Sequence, residues 1–179
     1  MDTQVFVLQP MPAGSPLSIE SNAGKATDRG VEIEVKSLPA EGWLISGAVG
    51  YAHAIFTKFD TVTSAGVPIS LAGNRLPRQP QCTASALLQY RWPLVNGAAV
   101  LLHTDWNYRG AYYVNADNLH NPYIPGRTIG NVRAAYMPST DRWEIALWAK
   151  NVTDKHYPMG GVAVTITCST ENGVVENRP

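Results

Sequence analysis

Ala98-Ala99-Val100-Leu101-Leu102-His103-Thr104-Asp105-Trp106-Asn107-Tyr108-Arg109 is the stretch on which the fold turns. Successive side chains of an extended strand point to opposite faces. One face therefore carries Val100, Leu102, Thr104, Trp106 and Tyr108, and the other carries His103, Asp105, Asn107 and Arg109. The turn Pro93-Leu94-Val95-Asn96-Gly97 precedes it, and before that turn the alternation runs again from Cys82 to Trp92. There Ala84, Ala86, Leu88, Tyr90 and Trp92 oppose Thr83, Ser85, Gln89 and Arg91. Two alternating runs joined by a short Pro/Asn/Gly turn predict an antiparallel hairpin.

Outward from this hairpin the same grammar repeats. Gln4 to Gln9 reads as a short apolar strand, and Asp28 to Leu38 sets Val31, Ile33 and Val35 against Glu32, Glu34 and Lys36. Trp43 to Phe56 places Trp43, Ile45, Val49 and Tyr51 opposite the small residues Ser46, Ala48, Gly50 and Ala52. Strands are also expected at Arg127 to Tyr136 and from Trp143 to Asn151, where Trp143, Ile145, Leu147 and Ala149 oppose Glu144, Trp148 and Lys150. Helical spacing is absent. The prediction is an all-β, antiparallel up-and-down meander of about seven strands.

Composition narrows the function classes. Lys plus Arg equals Asp plus Glu at 14 each, so the formal charge is zero and a basic nucleic-acid binder is excluded. Hydrophobic residues make up 45% and charged residues only 16%, which excludes global disorder. The longest apolar run, Ala98 to Leu102, is far short of the ~18–20 residues of a spanning helix. Met1-Asp2-Thr3-Gln4 carries neither the cationic start nor the apolar run of a secretory signal. Cys82 and Cys168 are too few for a disulfide-built scaffold or a cysteine zinc site, and whether they pair is left open.

Connections and aromatics add sidedness. Short turns at 39–42, 93–97 and 138–142 alternate with long loops at 10–27, 57–81, 110–125 and from 153 onward. In a meander, all the short turns then lie at one end, the asymmetry of an outer-membrane barrel. Trp43, Tyr90, Trp92, Tyr136 and Trp143 sit beside the short turns, whereas Tyr51, Trp106 and Tyr108 lie toward the loops. Between the two sets the same face is aliphatic or small. Amphipathic rings favour the bilayer interface, so two belts around an aliphatic band predict a lipid-facing surface. Trp43 to Tyr51 spans about 26 Å of strand, enough when tilted to cross most of the apolar band. A dry soluble core would leave His103, Asp105, Asn107, Arg109, Arg133, Glu144 and Lys150 facing bulk water, whereas a wide barrel lets them line a hydrated interior and pair with one another.

Three segments carry a family resemblance. Asn22-Ala23-Gly24-Lys25-Ala26 through Arg29-Gly30-Val31-Glu32-Ile33-Glu34 resembles a barrel strand of the TonB-dependent outer-membrane receptors. Leu71-Ala72-Gly73-Asn74-Arg75-Leu76-Pro77-Arg78-Gln79-Pro80 is similar to that family's loop-to-strand entry, and Asn151-Val152-Thr153-Asp154-Lys155-His156-Tyr157 to the end of its penultimate strand. The resemblance covers nearly the whole chain, in the family's order. It implies a bacterial outer-membrane location, contact with outer-membrane lipid, and uptake of an extracellular ferric siderophore or similar small ligand energised by TonB through an amino-terminal plug. Family receptors are longer, with a plug and a barrel of about 22 strands. Residues 1–179 are therefore expected to be a fragment of the barrel domain: a partial transmembrane β-barrel with its final strand missing and no plug domain. A passive porin-type channel and a soluble β-barrel ligand binder are the alternatives.

Candidate site residues lie in the long loops and at their strand ends. Arg75, Arg78 and Arg109, with Tyr112, Tyr113, His120 and Tyr123, combine guanidinium groups and aromatic rings suited to a planar anionic ligand such as a ferric catecholate or phenolate chelate. Asn115 and Asn118 crowd the same loop. His103 and Asp105 share a face without an accompanying nucleophile or further ligands, so no catalytic residue, metal site or cofactor is expected and the chain is not read as an enzyme. Asn151-Val152-Thr153 matches a glycosylation sequon, but a turn explains it better.

Overall fold

The computed structural model describes residues 2–9, 17–63, 67–118, 123–140, 142–158, 168–169 and 175–176, with side chains described only within 24–158. The strands are β1 (Asp2–Gln9), β2 (Leu17–Ser37), β3 (Trp43–Lys58), β4 (Asp60–Val62), β5 (Pro68–Ser70), β6 (Cys82–Pro93), β7 (Ala99–Arg109), β8 (Tyr112–Tyr113), β9 (Tyr123–Ile124), β10 (Arg127–Met137), β11 (Ile145–Ala149), β12 (Cys168–Ser169) and β13 (Val175–Glu176). One seven-stranded sheet has the order β1-β2-β3-β6-β7-β10-β11, every pair antiparallel, as the alternation predicts. The pairs β4-β5, β8-β9 and β12-β13 form separate hairpins within the long loops. Among the described residues the sheet is open, with β1 and β11 at its edges.

Register makes the two faces continuous across strands. Ile33 pairs with Val49, Val49 with Ala84, and Ala84 with Tyr108, all on the apolar face. Glu34, Ala48, Ser85 and Asn107 form the neighbouring row on the polar face. Among the described residues nothing covers the apolar face: Ile33 is 63% exposed, Leu147 77%, and Leu102 and Trp106 also stand open. A closed, dry core behind this face is thereby excluded. Exposed aliphatic side chains in such an array are stable against hydrocarbon and costly against water.

The belts form by contact between strands. At the short-turn end Trp43 and Tyr90 lie 4.5 Å apart between centroids, Tyr90 and Trp92 6.4 Å, and Tyr136 and Trp143 5.8 Å. The turns are tight enough to need left-handed backbone at Gly42 (φ 80) and Gly97 (φ 77), a conformation glycine adopts without steric cost.

The loop predicted from Pro10 to Thr27 is a correction, since β2 already begins at Leu17. Its pairing with β1 runs from Gln9↔Leu17 to Asp2↔Lys25, so the ladder carries the strand through a largely polar stretch whose apolar alternation is limited to Leu17 and Ile19. The upper row of the belt meets β2 at Val31, the partner of Tyr51. Residues before Val31 overhang that row, where no apolar face is required. Among the described residues the packed clusters lie at this end: Phe56, Phe59 and Leu71 form one, with Ala26, Leu76 and Ala116 against it, and Tyr112, Val114 and Ile124 form another.

Candidate functional site

The candidate residues gather at the long-loop end, held by backbone contacts between loops. The segment after β5 lies along β3: Phe56 N–H donates to Asn74 O at 2.9 Å and Leu76 N–H to Ala54 O at 3.0 Å. Arg75 is then locked to the next loop, because its N–H donates to Asn118 Oδ1 at 2.7 Å and Asn118 Nδ2–H donates back to Arg75 O at 2.9 Å. Its guanidinium reaches Ala111 O at 3.4 Å and lies 5.6 Å from the Tyr113 ring centroid.

The remaining loop residues join the same cluster. Arg78 N–H donates to Tyr113 O at 2.7 Å, and Arg109 Nη2 donates to Arg78 O at 3.1 Å. Arg109 also covers the Tyr112 ring at 4.8 Å, and Tyr113 meets Tyr123 at 5.3 Å. Tyr112 is only 4% exposed, so its ring is spent on Val114, Ile124 and Arg109 rather than offered to solvent. The structure thus brings together Arg75, Arg78, Arg109, Tyr112, Tyr113 and Tyr123, while His120 lies outside the described residues.

A second set occupies the polar face of the strands. His103 Nε2 and Asp105 Oδ1 are 3.4 Å apart. Asp105 Oδ2 accepts from Asn131 Nδ2 at 2.7 Å and from Asn107 Nδ2 at 3.3 Å. Arg133 and Glu144 form an ion pair. The expected pairing of polar residues across this face is therefore present. Among the described residues no group of three or more His, Cys, Asp or Glu could hold a metal ion. Cys82 is exposed, and the side chain of Cys168 lies outside the described residues.

Arg127 was missing from the sequence-based set. It pairs in register with Arg109, its Cζ stands 3.8 Å from the Tyr157 ring centroid, and its buried Nη1 has no hydrogen-bond partner among the described residues. Strand parity was the available signal, because Arg127 shares a face with Asn131 and Arg133.

Tyr157 reaches Arg127 through the turn that the sequon match conceals. The Asn151 side chain behaves as a peptide group, accepting from Lys155 N at 3.1 Å and donating to Lys155 O at 3.2 Å. Asp154 N–H closes the turn on Asn151 O at 2.9 Å, with left-handed backbone at Asn151 (φ 53) and Asp154 (φ 47). Asn and Asp tolerate that conformation better than other side chains do. Thr153 Oγ1 donates to Thr128 O at 3.3 Å and ties the turn to β10.

Comparisons with known proteins agree with this geometry. No curated protein matches the sequence. Among solved structures, the chain resembles FyuA, the ferric yersiniabactin uptake receptor of Yersinia pestis, with a TM-score of 0.65 and 23% identity over 88% of this chain and 22% of that one. It also resembles BauA, the ferric preacinetobactin receptor of Acinetobacter baumannii (TM-score 0.61, 22% identity, 86% of this chain and 22% of that one). The siderophore receptor PiuA of Acinetobacter baumannii gives a TM-score of 0.63 and 20% identity over 87% of this chain and 20% of that one. The chain thus spans about a fifth of the length of these receptors. The family model for the TonB dependent receptor-like β-barrel matches residues 3–152. With its open seven-stranded meander and its exposed apolar face between aromatic belts, the chain belongs to that family of barrels in the bacterial outer membrane.

Proposed function

We propose that the chain forms one sector of an outer-membrane receptor that takes up a ferric siderophore, with energy supplied from TonB through a plug. The observation that carries this reading is the two-faced sheet: an exposed aliphatic band between aromatic belts on one side and a paired polar ladder on the other. A bilayer does not tolerate unpaired strand edges, so β1 and β11 require further strands to close a cylinder around the polar face. In that cylinder the short turns face the periplasm and the arginine–tyrosine cluster faces outward, where a ligand arrives. Guanidinium groups at the loop end, with the Tyr113 and Tyr123 rings beside them, suit an anionic iron chelate, through charge-assisted hydrogen bonds and stacking. The role is transport, with no chemical step on the ligand.

The test is uptake of radioactive iron, supplied as siderophore chelates, by cells with and without the gene. Saturable uptake that requires the gene and stops when the inner-membrane proton gradient is collapsed would support the proposal. Uptake insensitive to that collapse would point to a passive channel instead. A protein recovered in the soluble fraction after outer membranes are pelleted would overturn the membrane reading altogether.

A further inference from the structure

The lipid-facing side of the β2–β3 hairpin changes character at one row. Register pairs Val35 with Gly47, Ile33 with Val49 and Val31 with Tyr51, and the next pair on that face is Arg29 with His53. The register shift in this ladder lies further on, between Lys25 and Ala26, so side-chain parity runs unbroken from Val35 to Arg29. Both basic side chains are exposed, next to an exposed Val31 and Tyr51. They stand on the outer face of the wall, opposite to the face that carries Arg109 and Arg127.

Depth identifies what surrounds them. Two residues of strand span about 6.6 Å, and a tilt of about 45° places the pair about 5 Å above the Val31–Tyr51 row of the belt. Headgroups occupy about 5–8 Å on each side of the hydrocarbon, so Arg29 and His53 lie in the layer that holds lipid phosphates.

Nothing on the protein neutralises the pair. Asp28 and Glu32 lie on the inner face by parity, and Asp28 Oδ2 accepts from Gln79 Nε2 at 2.9 Å. Further along, Lys25 has Lys58 as its partner on one side and Asp2 on the other, so the nearest carboxylate beyond is matched to a lysine. Ile55, next after His53 on the outer face, bridges to Arg75, whose guanidinium is held at Ala111 O and the Tyr113 ring. Among the described residues the side chains of Arg29 and His53 have no ion pair, hydrogen bond or ring contact. Directly paired residues have Cβ atoms about 5 Å apart, near enough for both to reach one anion. A guanidinium fork matches two phosphate oxygens, and an imidazole N–H beside it supplies a further donor.

We propose that Arg29 and His53 form a site for the phosphate of an outer-leaflet lipid, held against the outside of the barrel just beyond the aromatic belt. The site rests on the membrane orientation given above, with the long loops outward, and not on the iron ligand. Its occupant is a resident lipid rather than cargo.

The experiment uses the complete receptor in a non-ionic detergent, titrated with lipid A carrying its phosphates or with the same glycolipid after their removal, and counts bound molecules by native mass spectrometry. The wild type is expected to bind the phosphorylated lipid about tenfold more tightly. Arg29→Gln and His53→Gln should each reduce that preference about threefold, the scale of one exposed charged contact. Arg29→Lys should keep more of it than Arg29→Gln, and His53→Arg should increase it, a gain that poor assembly cannot produce. Arg142→Gln, a charge change beside the short turn at 138–142, should leave it unchanged. Equal binding of both lipids by the wild type, or a preference that survives both Gln substitutions, would overturn the site. So would an equal loss in Arg142→Gln, the mark of general charge attraction, or displacement of the lipid by millimolar inorganic phosphate, the mark of a free-anion site. Iron uptake should be the same in Arg29→Gln as in the wild type, so failure of the uptake reading and failure of this site show in separate measurements.

Discussion

Arg75 and Asn118 are joined by a reciprocal pair of hydrogen bonds, the arginine N–H to Asn118 Oδ1 at 2.7 Å and Asn118 Nδ2–H to the arginine carbonyl at 2.9 Å. The asparagine side chain stands where a neighbouring strand's peptide would be, so two loops far apart in sequence behave as one rigid unit. The same device recurs at Asn151 and Lys155. In both cases a side-chain amide replaces a ladder that the loop cannot provide.

Asn118→Ala removes both bonds to Arg75 and leaves a part-buried backbone donor and acceptor without partners. The expected cost is about 1–3 kcal/mol of local stability. Limited proteolysis of intact cells should cut the variant faster in segments 71–81 and 111–118 than the wild type, with the barrel strands still protected.

Val49 and Gln89 give a contrast between faces. Val49 is exposed on the apolar face between Trp43 and Tyr51, while Gln89 pairs with Leu44 and His103 on the polar face. Val49→Arg places a charge in hydrocarbon and should cost about 2 kcal/mol or more, whereas Gln89→Arg should stay within about 1 kcal/mol. Denaturant unfolding of the refolded receptor in lipid vesicles measures both. Equal effects would contradict the assignment of faces.

Asp105 is the hub of the polar ladder, with Asn131, Asn107 and His103 around it. Asp105→Ala strands the Asn131 amide and is expected to cost about 1–2 kcal/mol, while Asp105→Asn keeps one acceptor oxygen and should cost less. The order of thermal unfolding midpoints, wild type above Asp105→Asn above Asp105→Ala, is the measurement.

Gly130 lies beneath the Trp106 ring, where an added Cβ would come within 2.6 to 2.8 Å of three ring atoms. Gly130→Ala must push the indole out of the upper belt, at an expected cost of about 1–3 kcal/mol. A double-mutant cycle with Trp106→Leu should be strongly non-additive, because the clash disappears once the ring is gone.

Alternation at Val31, Ile33 and Val35, or at Val100 through Tyr108, specified strands, faces and antiparallel order without further help. Period-two patterning is a local property, and a one-residue slip would turn every apolar side chain into the wrong medium. Short turns and belts were legible for the same reason. Tertiary contact alone decided the rest. β2 reaches back to Leu17 because β1 supplies hydrogen bonds across a Ser-, Asn- and Gly-containing stretch where alternation is confined to Leu17 and Ile19. Tyr112 is buried, Arg75 is fixed by Asn118, and Arg127 finds Tyr157 because side chains far apart along the chain meet only after the strands have set their register. Sequence therefore determined which residues face lipid and which face water, since solvent preference belongs to each side chain. The structure decided which charges remain unpaired, since that depends on every neighbour the fold brings within a few ångströms.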